Sequence, residues 1–129
     1  MTPTEPQQVA NTPDDLVLQM CATQLDEYFA GKRRVFDVPI NPSGGPFSKR
    51  VWQIMVRDPA FGTTTTYSAL AKMAGNGRAS RAVGMANNRN PIPIIIPCHR
   101  VVGKNGKLTG FRAGLDVKEK LLRHENIIL

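Results

Sequence analysis

The residues best suited to chemistry stand together at Pro97-Cys98-His99-Arg100. The thiolate, not the thiol, is the nucleophile, and a free cysteine with a pKa of about 8.5 is little ionised at neutral pH. Cys98 therefore needs a base and a positive field, and His99 and Arg100 could supply them. Adjacent residues in an extended chain point to opposite faces, so a direct Cys98–His99 hydrogen bond does not follow from their adjacency. A turn or a bridging water is required. The other cysteine, Cys21, lies far away in sequence, and the two give neither a disulfide framework nor metal-ligand spacing. Both are expected to be free thiols.

The elements that position this group must come from 129 residues, of which 41% are hydrophobic and 21% charged. That length predicts one compact domain with a short appendage and excludes a large multidomain machine. No apolar run approaches the roughly 20 residues needed to cross a bilayer. Residues 1–12 carry no Lys or Arg, so no secretory or mitochondrial leader is expected and a cytosolic protein is the default.

Charge is unevenly distributed within the net +7. Residues 1–31 hold five acids and no Lys or Arg, whereas the interval between Asp58 and Asp116 has no acid and eight bases. A solvated basic face is the plain explanation; a surface for nucleic acid is the one that so long an acid-free interval favours.

Residues 1–11, rich in Pro, Thr and Gln, are expected to be disordered. Thr12 and Pro13 predict a helix start, followed by Leu18, Cys21, Leu25, Tyr28 and Phe29 at helical spacing until Gly31. Lys32 to Ile40 reads as extended and residues 41–46 as a linker. A helix from about Phe47 to Arg57 should bury Phe47, Val51, Ile54 and Met55. Thr66 can cap a helix through Lys72; after Gly75-Asn76-Gly77, Ala79, Ala82, Val83 and Ala86 mark another that ends before Pro91. Such a pair suggests a helix-turn-helix with Arg78, Arg81 and Arg89 on or near its second member. Ile94-Ile95-Ile96 suits a buried extended segment, and Asn105-Gly106 predicts a type I′ turn joining a basic hairpin or wing. The last helix should begin at Asp116, with Glu119 completing a capping box, and bury Val117, Leu121 and Leu122.

Pro97-Cys98-His99-Arg100-Val101 closely resembles the active-site signature of the O6-alkylguanine-DNA alkyltransferases. Residues 47–52, Tyr67 to Ala71, Arg81 to Gly84, Asn90-Pro91, Ile95 to Pro97 and Leu121 to Glu125 fall in that family's order and spacing, so the resemblance covers about residues 14–129. It implies a mainly α fold with small β elements: a winged helix-turn-helix-like domain over 47–129, preceded by a remnant of the family's N-terminal domain over 12–46 and a disordered start over 1–11. The family usually has a larger N-terminal domain.

By resemblance, Cys98 takes the alkyl group from a damaged guanine once and irreversibly. His99 acts as base through a water, Glu125 orients His99, and Asn90 braces the turn. Read without the family, His99 is a satisfied structural histidine, Glu125 an exposed helix-end acid and Asn90 a helix cap. Arg81 fills the space left by the flipped nucleotide and Tyr67 crowds its phosphate and bonds the guanine ring, with Arg78, Arg89, Arg100 and Ala82 on the DNA side. Val101, Gly110, Phe111, Arg112, Ala113 and Gly114 frame the substrate pocket, Val101 and Arg112 mainly through backbone groups. Phe111 and Ala113 depart from the tyrosine and glycine common there, which bears on the alkyl groups accepted.

The resemblance further implies no cofactor and no metal, double-stranded DNA containing O6-alkylguanine as partner, no membrane, and a cytoplasmic monomer. The rival readings are an alkyltransferase-like lesion-binding protein, whose members lack the cysteine that Cys98 supplies, and a Cys-His thiol hydrolase.

Overall fold

A glycine ends the first helix where the sequence places its stop. In the computed structural model, which describes residues 14–127, α1 runs Asp14–Phe29 and Gly31 takes left-handed backbone at φ +77°. The expected Thr12 cap, Pro13 and disordered start lie outside the described residues. The chain divides into one unit over residues 1–42 and another over 43–129.

In the first unit Tyr28 is buried against Phe29 and Phe36, with ring centroids 5.1 and 5.5 Å away. The Gln24 side chain bonds both the backbone and the carboxylate of Asp37, and Arg33 pairs with Glu27 at 2.9 Å. Two expectations fail here. Residues 32–40 form no strand, because their polar contacts go to α1 side chains instead of a ladder. Leu18 and Phe29, placed at helical spacing on the apolar face of this helix, are exposed.

The second unit opens with α2, Pro46–Arg57, whose proline stands in the first turn where no N–H partner is needed. Val51, Ile54 and Met55 are buried at i, i+3, i+4 spacing with Trp52 beside them, while Phe47 is only half-buried. Each full aliphatic burial stabilises by about 1.5–3 kcal/mol. Trp52 Nε1 also donates to Ala86 O at 2.9 Å, pinning α2 to the helix that carries Ala86. Gly44 makes this possible, since a Cβ there would come within 2.8 Å of the indole ring.

Next, α3 (Tyr67–Met73) is capped by Thr66, whose Oγ1 accepts from Ala69 N at 3.1 Å, and α4 spans Ser80–Asn88. Gly75 turns the chain between them at φ +91°. Helices α2, α3 and α4 pack on one another, giving the expected helix-turn-helix its support.

The β structure differs from the expected hairpin. Asn105 and Gly106 do adopt left-handed backbone, at φ 64° and 78°, and Gly103 N bonds Lys107 O at 2.7 Å, but no ladder continues beyond that pair. Instead β2 (Val101–Val102) pairs in parallel with β1 (Thr65–Thr66), Thr65 opposite Val101. That contact satisfies the strand's backbone and ties the segment after Cys98 to the start of α3. Ile94 to Ile96 is not extended either: it is a turn in which Ile94 takes φ 76°, unusual for a β-branched residue, so that Ile96 can bridge to Pro93.

The final helix, α5, spans Leu115–His124, with Gly114 and not Asp116 at its N-cap. No capping box forms, because Glu119 turns outward to Arg123 at 2.8 Å. Gly114 has φ +108°, and a Cβ there would meet Asp116 Oδ1 at 2.7 Å, so glycine is required. The fold is mainly helical with small β elements, as the resemblance implies, and the sheet among the described residues is a two-stranded parallel one.

Candidate active site

Cys98, His99 and Arg100 form a single 3-10 turn between the Ile94–Ile96 turn and β2, and all three are buried. The tight turn replaces the opposite-face geometry of an extended chain, so thiol and imidazole belong to one interior site. His99 Nε2 lies 2.5 Å from Glu125 Oε2, just past the end of α5. Glu125 is thus no exposed helix-end acid; it is 1% exposed and also accepts from Arg100 Nε at 2.7 Å and Nη2 at 3.1 Å. This fork-shaped pairing is what a buried carboxylate requires.

Arg100 therefore corrects the sequence expectation. Its guanidinium is held inside by Glu125 and by Pro59 O at 3.0 Å, near the Phe61 ring, and is unavailable to a DNA phosphate. Arg78, Arg81, Arg89 and Ala82, by contrast, are exposed on or beside α4.

Burial pushes the Cys98 thiol up from its ordinary ionisation range. A hydrogen bond from Asn90, the charge of Lys118 and the backbone N–H groups of Cys98 and His99 pull it back part of the way. Asn90 is itself fixed, donating to Ile96 O at 2.7 Å and accepting from Ile92 N at 2.9 Å, which braces the turn. Burial lowers His99, and the adjacent Glu125 carboxylate opposes that shift. The imidazole is thus neutral near pH 7. With Nε2 donating to Glu125, Nδ1 is the acceptor, and it has no protein partner.

Lys118 went unrecognised in the sequence. It is fully buried, donates to Val101 O and to Thr109 O at 2.8 Å, and lies 5.9 Å from the Phe111 ring centroid. Desolvation brings it down to about 8, and Cys98 opposes that change. The signal was present: Lys118, Leu121, Leu122 and Glu125 stand at i, i+3, i+4 and i+7, the buried stripe of α5 and its cap. Val117, expected in that stripe, is only half-buried.

A cavity of about 150 Å³ opens beside Cys98, lined by Asn87, Asn90, Phe111, Arg112 and Ala113 among others. Gly110 also lines it, whereas Val101 lies buried in β2 and Gly114 caps α5; neither lines the cavity. Tyr67 and Arg81 face a broader groove of about 600 Å³ with Ser80, Met85 and Thr109. The Tyr67 Oη accepts from Thr109 Oγ1 at 3.2 Å and makes only a long 3.5 Å approach to Thr109 O. No cluster of three His, Cys, Asp or Glu able to hold a metal occurs among the described residues.

Residues 46–127 match the model of the 6-O-methylguanine DNA methyltransferase, DNA binding domain, and residues 2–42 that of the same family's ribonuclease-like domain. The chain belongs to the 6-O-methylguanine DNA methyltransferase family. A Methanosarcina acetivorans protein named methylated-DNA–protein-cysteine methyltransferase is 58% identical over 102 residues, covering 79% of this chain and 65% of that protein. The Methanosarcina mazei protein of the same name is 50% identical over 121 residues, covering 90% and 76%. Among solved structures, Mycobacterium tuberculosis OGT in complex with DNA aligns with a TM-score of 0.80 at 44% identity, covering 83% of this chain and 66% of that one. The chain spans about two thirds to three quarters of the length of these relatives. No helix among the described residues is long and apolar enough to cross a membrane.

Proposed function

We propose that this protein repairs O6-alkylguanine in double-stranded DNA by transferring the alkyl group to Cys98. The observation that carries this reading is the buried turn that sets a thiol beside a small cavity and a His99–Glu125 pair behind it. The names of the relatives, and the DNA bound to the Mycobacterium tuberculosis structure, support the same substrate.

His99 Nδ1 takes the thiol proton through one bridging water, and the imidazolium so formed is stabilised by Glu125. The thiolate then attacks the alkyl carbon; its C–S bond forms as the C–O6 bond breaks, and the bonding pair stays on O6. The Tyr67 hydroxyl, weakly engaged as a donor, turns to the base and offsets the charge growing on the leaving guanine. A stacked guanine cannot reach the cavity, so the nucleotide is flipped, with the exposed Arg81 occupying its place and Arg78 and Arg89 contacting phosphates. The thioether has no internal route back to thiolate, so each molecule acts once.

Incubation with excess duplex containing O6-methylguanine, followed by peptide mass spectrometry, tests this. One methyl group on the Cys98 peptide, with transfer then ceasing, is expected. Lesion binding without methylation of Cys98 would favour a sensor, and repeated turnover a hydrolase.

A further inference from the structure

Four donors among the described residues converge on the buried Glu125 carboxylate: Arg100 Nε at 2.7 Å and Gly62 N at 3.4 Å on Oε1, His99 Nε2 at 2.5 Å and Arg100 Nη2 at 3.1 Å on Oε2. Arg100 supplies two of them, and its Nη1 donates to Pro59 O at 3.0 Å in the loop after α2, so the guanidinium is held from two sides. A carboxylate this deep stays ionised only if a positive charge is buried with it. Two groups bonded to it can carry that charge. The guanidinium is always cationic, whereas the imidazole is cationic only when Nδ1 also holds a proton. The alternatives have opposite consequences. With the guanidinium in place the carboxylate is balanced, the imidazole stays uncharged and Nδ1 is open to accept. Without it, the proton that balances Glu125 goes to His99 and occupies the position that base chemistry needs.

We propose that Arg100 is a positioning residue for alkyl transfer: it balances Glu125, so that His99 keeps the form whose Nδ1 takes the Cys98 proton. This rests on the reading of Cys98 as alkyl acceptor. The charged groups facing the imidazole are Glu125 and Lys118, from the cap and body of α5, and Arg100 from its own turn, where the Cys98 thiol adjoins it. Burial acts first and favours the neutral ring; the carboxylate opposes it, and the two cations side with burial. The cations differ in how they act. Lys118 is engaged by the carbonyls of Val101 and Thr109, whereas Arg100 is bonded to the carboxylate itself. Removing Arg100 therefore withdraws its own charge from the ring and leaves the opposing carboxylate uncompensated.

Nitrogen NMR of the histidine-labelled full chain reads the ring directly, with His124→Gln distinguishing the two histidines. At pH 7 wild-type His99 should carry one ring proton and Arg100→Met two, its titration moved up by about one pH unit or more. Arg100→Lys, which keeps the charge, should retain most of the wild-type behaviour. Single-turnover methyl transfer to Cys98 from duplex containing O6-methylguanine should follow suit. The ratio of Arg100→Met to wild-type rates should be about ten-fold lower at pH 6 than at pH 8, the titrations of Cys98 and Lys118 being common to both proteins. A ratio constant with pH is what a merely structural defect gives, and it would overturn the proposal. So would a doubly protonated His99 in the wild type at pH 7, a measurement that needs no variant to fold. A singly protonated wild-type His99 with no methyl reaching Cys98 would instead reject the alkyl-acceptor reading beneath it.

Discussion

Each of the two units holds one cysteine, and the two thiols differ both in burial, Cys21 being partly exposed and Cys98 buried, and in what surrounds them. Residues 1–42 carry six acids and three bases, a net −3, with Cys21 on α1; residues 43–129 carry four acids and fourteen bases, a net +10, with Cys98 in its 3-10 turn. Desolvation pushes both thiols up. At Cys21 nothing opposes the shift, whereas at Cys98 the Asn90 hydrogen bond, the Lys118 charge and two backbone N–H groups all favour the thiolate. Burial alone disfavours a thiolate, and only Cys98 is surrounded by groups that oppose that effect.

Removing the nucleophile gives the largest expected effect. Cys98→Ser should abolish alkyl uptake, since a serine hydroxyl is a far weaker nucleophile at neutral pH, while lesion-bearing duplex is still bound. Intact-mass measurement and a duplex-binding titration check the two halves. Methyl appearing on Cys21 in this variant would erase the contrast between the two thiols.

The second effect falls on stability. Arg100→Met leaves Glu125 buried beside His99 without its cationic partner, and breaking such a pair costs about 3–5 kcal/mol. Urea unfolding followed through Trp52, the only tryptophan of the chain, reads it directly. A change below about 1 kcal/mol would return Arg100 to the surface role that the sequence suggested.

That reversal illustrates what a sequence makes legible. The Cys98-His99-Arg100 cluster, the Thr66 cap and the left-handed Asn105-Gly106 pair depend on neighbouring residues, and each could be read from local chemistry. The partner of Val101–Val102 could not, since Thr65–Thr66 lies 36 positions away in the register and a parallel pair carries no turn signature. Arg100 and Lys118 elude a reading of the sequence for one reason. Sequence shows a charge as exposed by default, and only tertiary structure brings the Glu125 carboxylate or the Val101 and Thr109 carbonyls that let it be buried. Glu125 was reached through family resemblance, and nothing in Leu121 to Glu125 by itself places the acid next to His99.

A third, smaller effect concerns pH and Lys118. Its folded value of about 8 lies below the ordinary 10.5, so from about 8 upward the unfolded chain holds more protons at this site than the folded one. Stability therefore gains with rising pH, by up to about 1.4 kcal/mol per unit, until the raised Cys98 thiol begins to oppose it above the ordinary cysteine value of 9.0. Lys118→Met should flatten this rise between pH 8 and 9 and, having lost the charge that favours the thiolate, slow alkyl transfer at pH 7 by roughly ten-fold. Denaturation midpoints across that interval, paired with single-turnover rates, separate the two consequences. An unaltered rate in the variant would mean that Lys118 only joins β2 to the Thr109 segment.

The smallest effect is expected at the other thiol. Cys21 sits partly exposed on α1, unbonded to any second cysteine, and its one resolved perturbation is desolvation. Cys21→Ala keeps a small apolar side chain and improves helix propensity, so stability should change by no more than about 0.5 kcal/mol and the rate of transfer to Cys98 should be unchanged. Thiol titration of the native protein sharpens the point. Cys21 should be labelled by a small maleimide in proportion to its exposure, and prior alkylation of Cys98 by lesion DNA should leave that labelling intact. If blocking Cys21 instead slowed transfer, residues 1–42 would have to influence the Cys98 turn, and the chemistry could no longer be assigned to residues 43–129 alone.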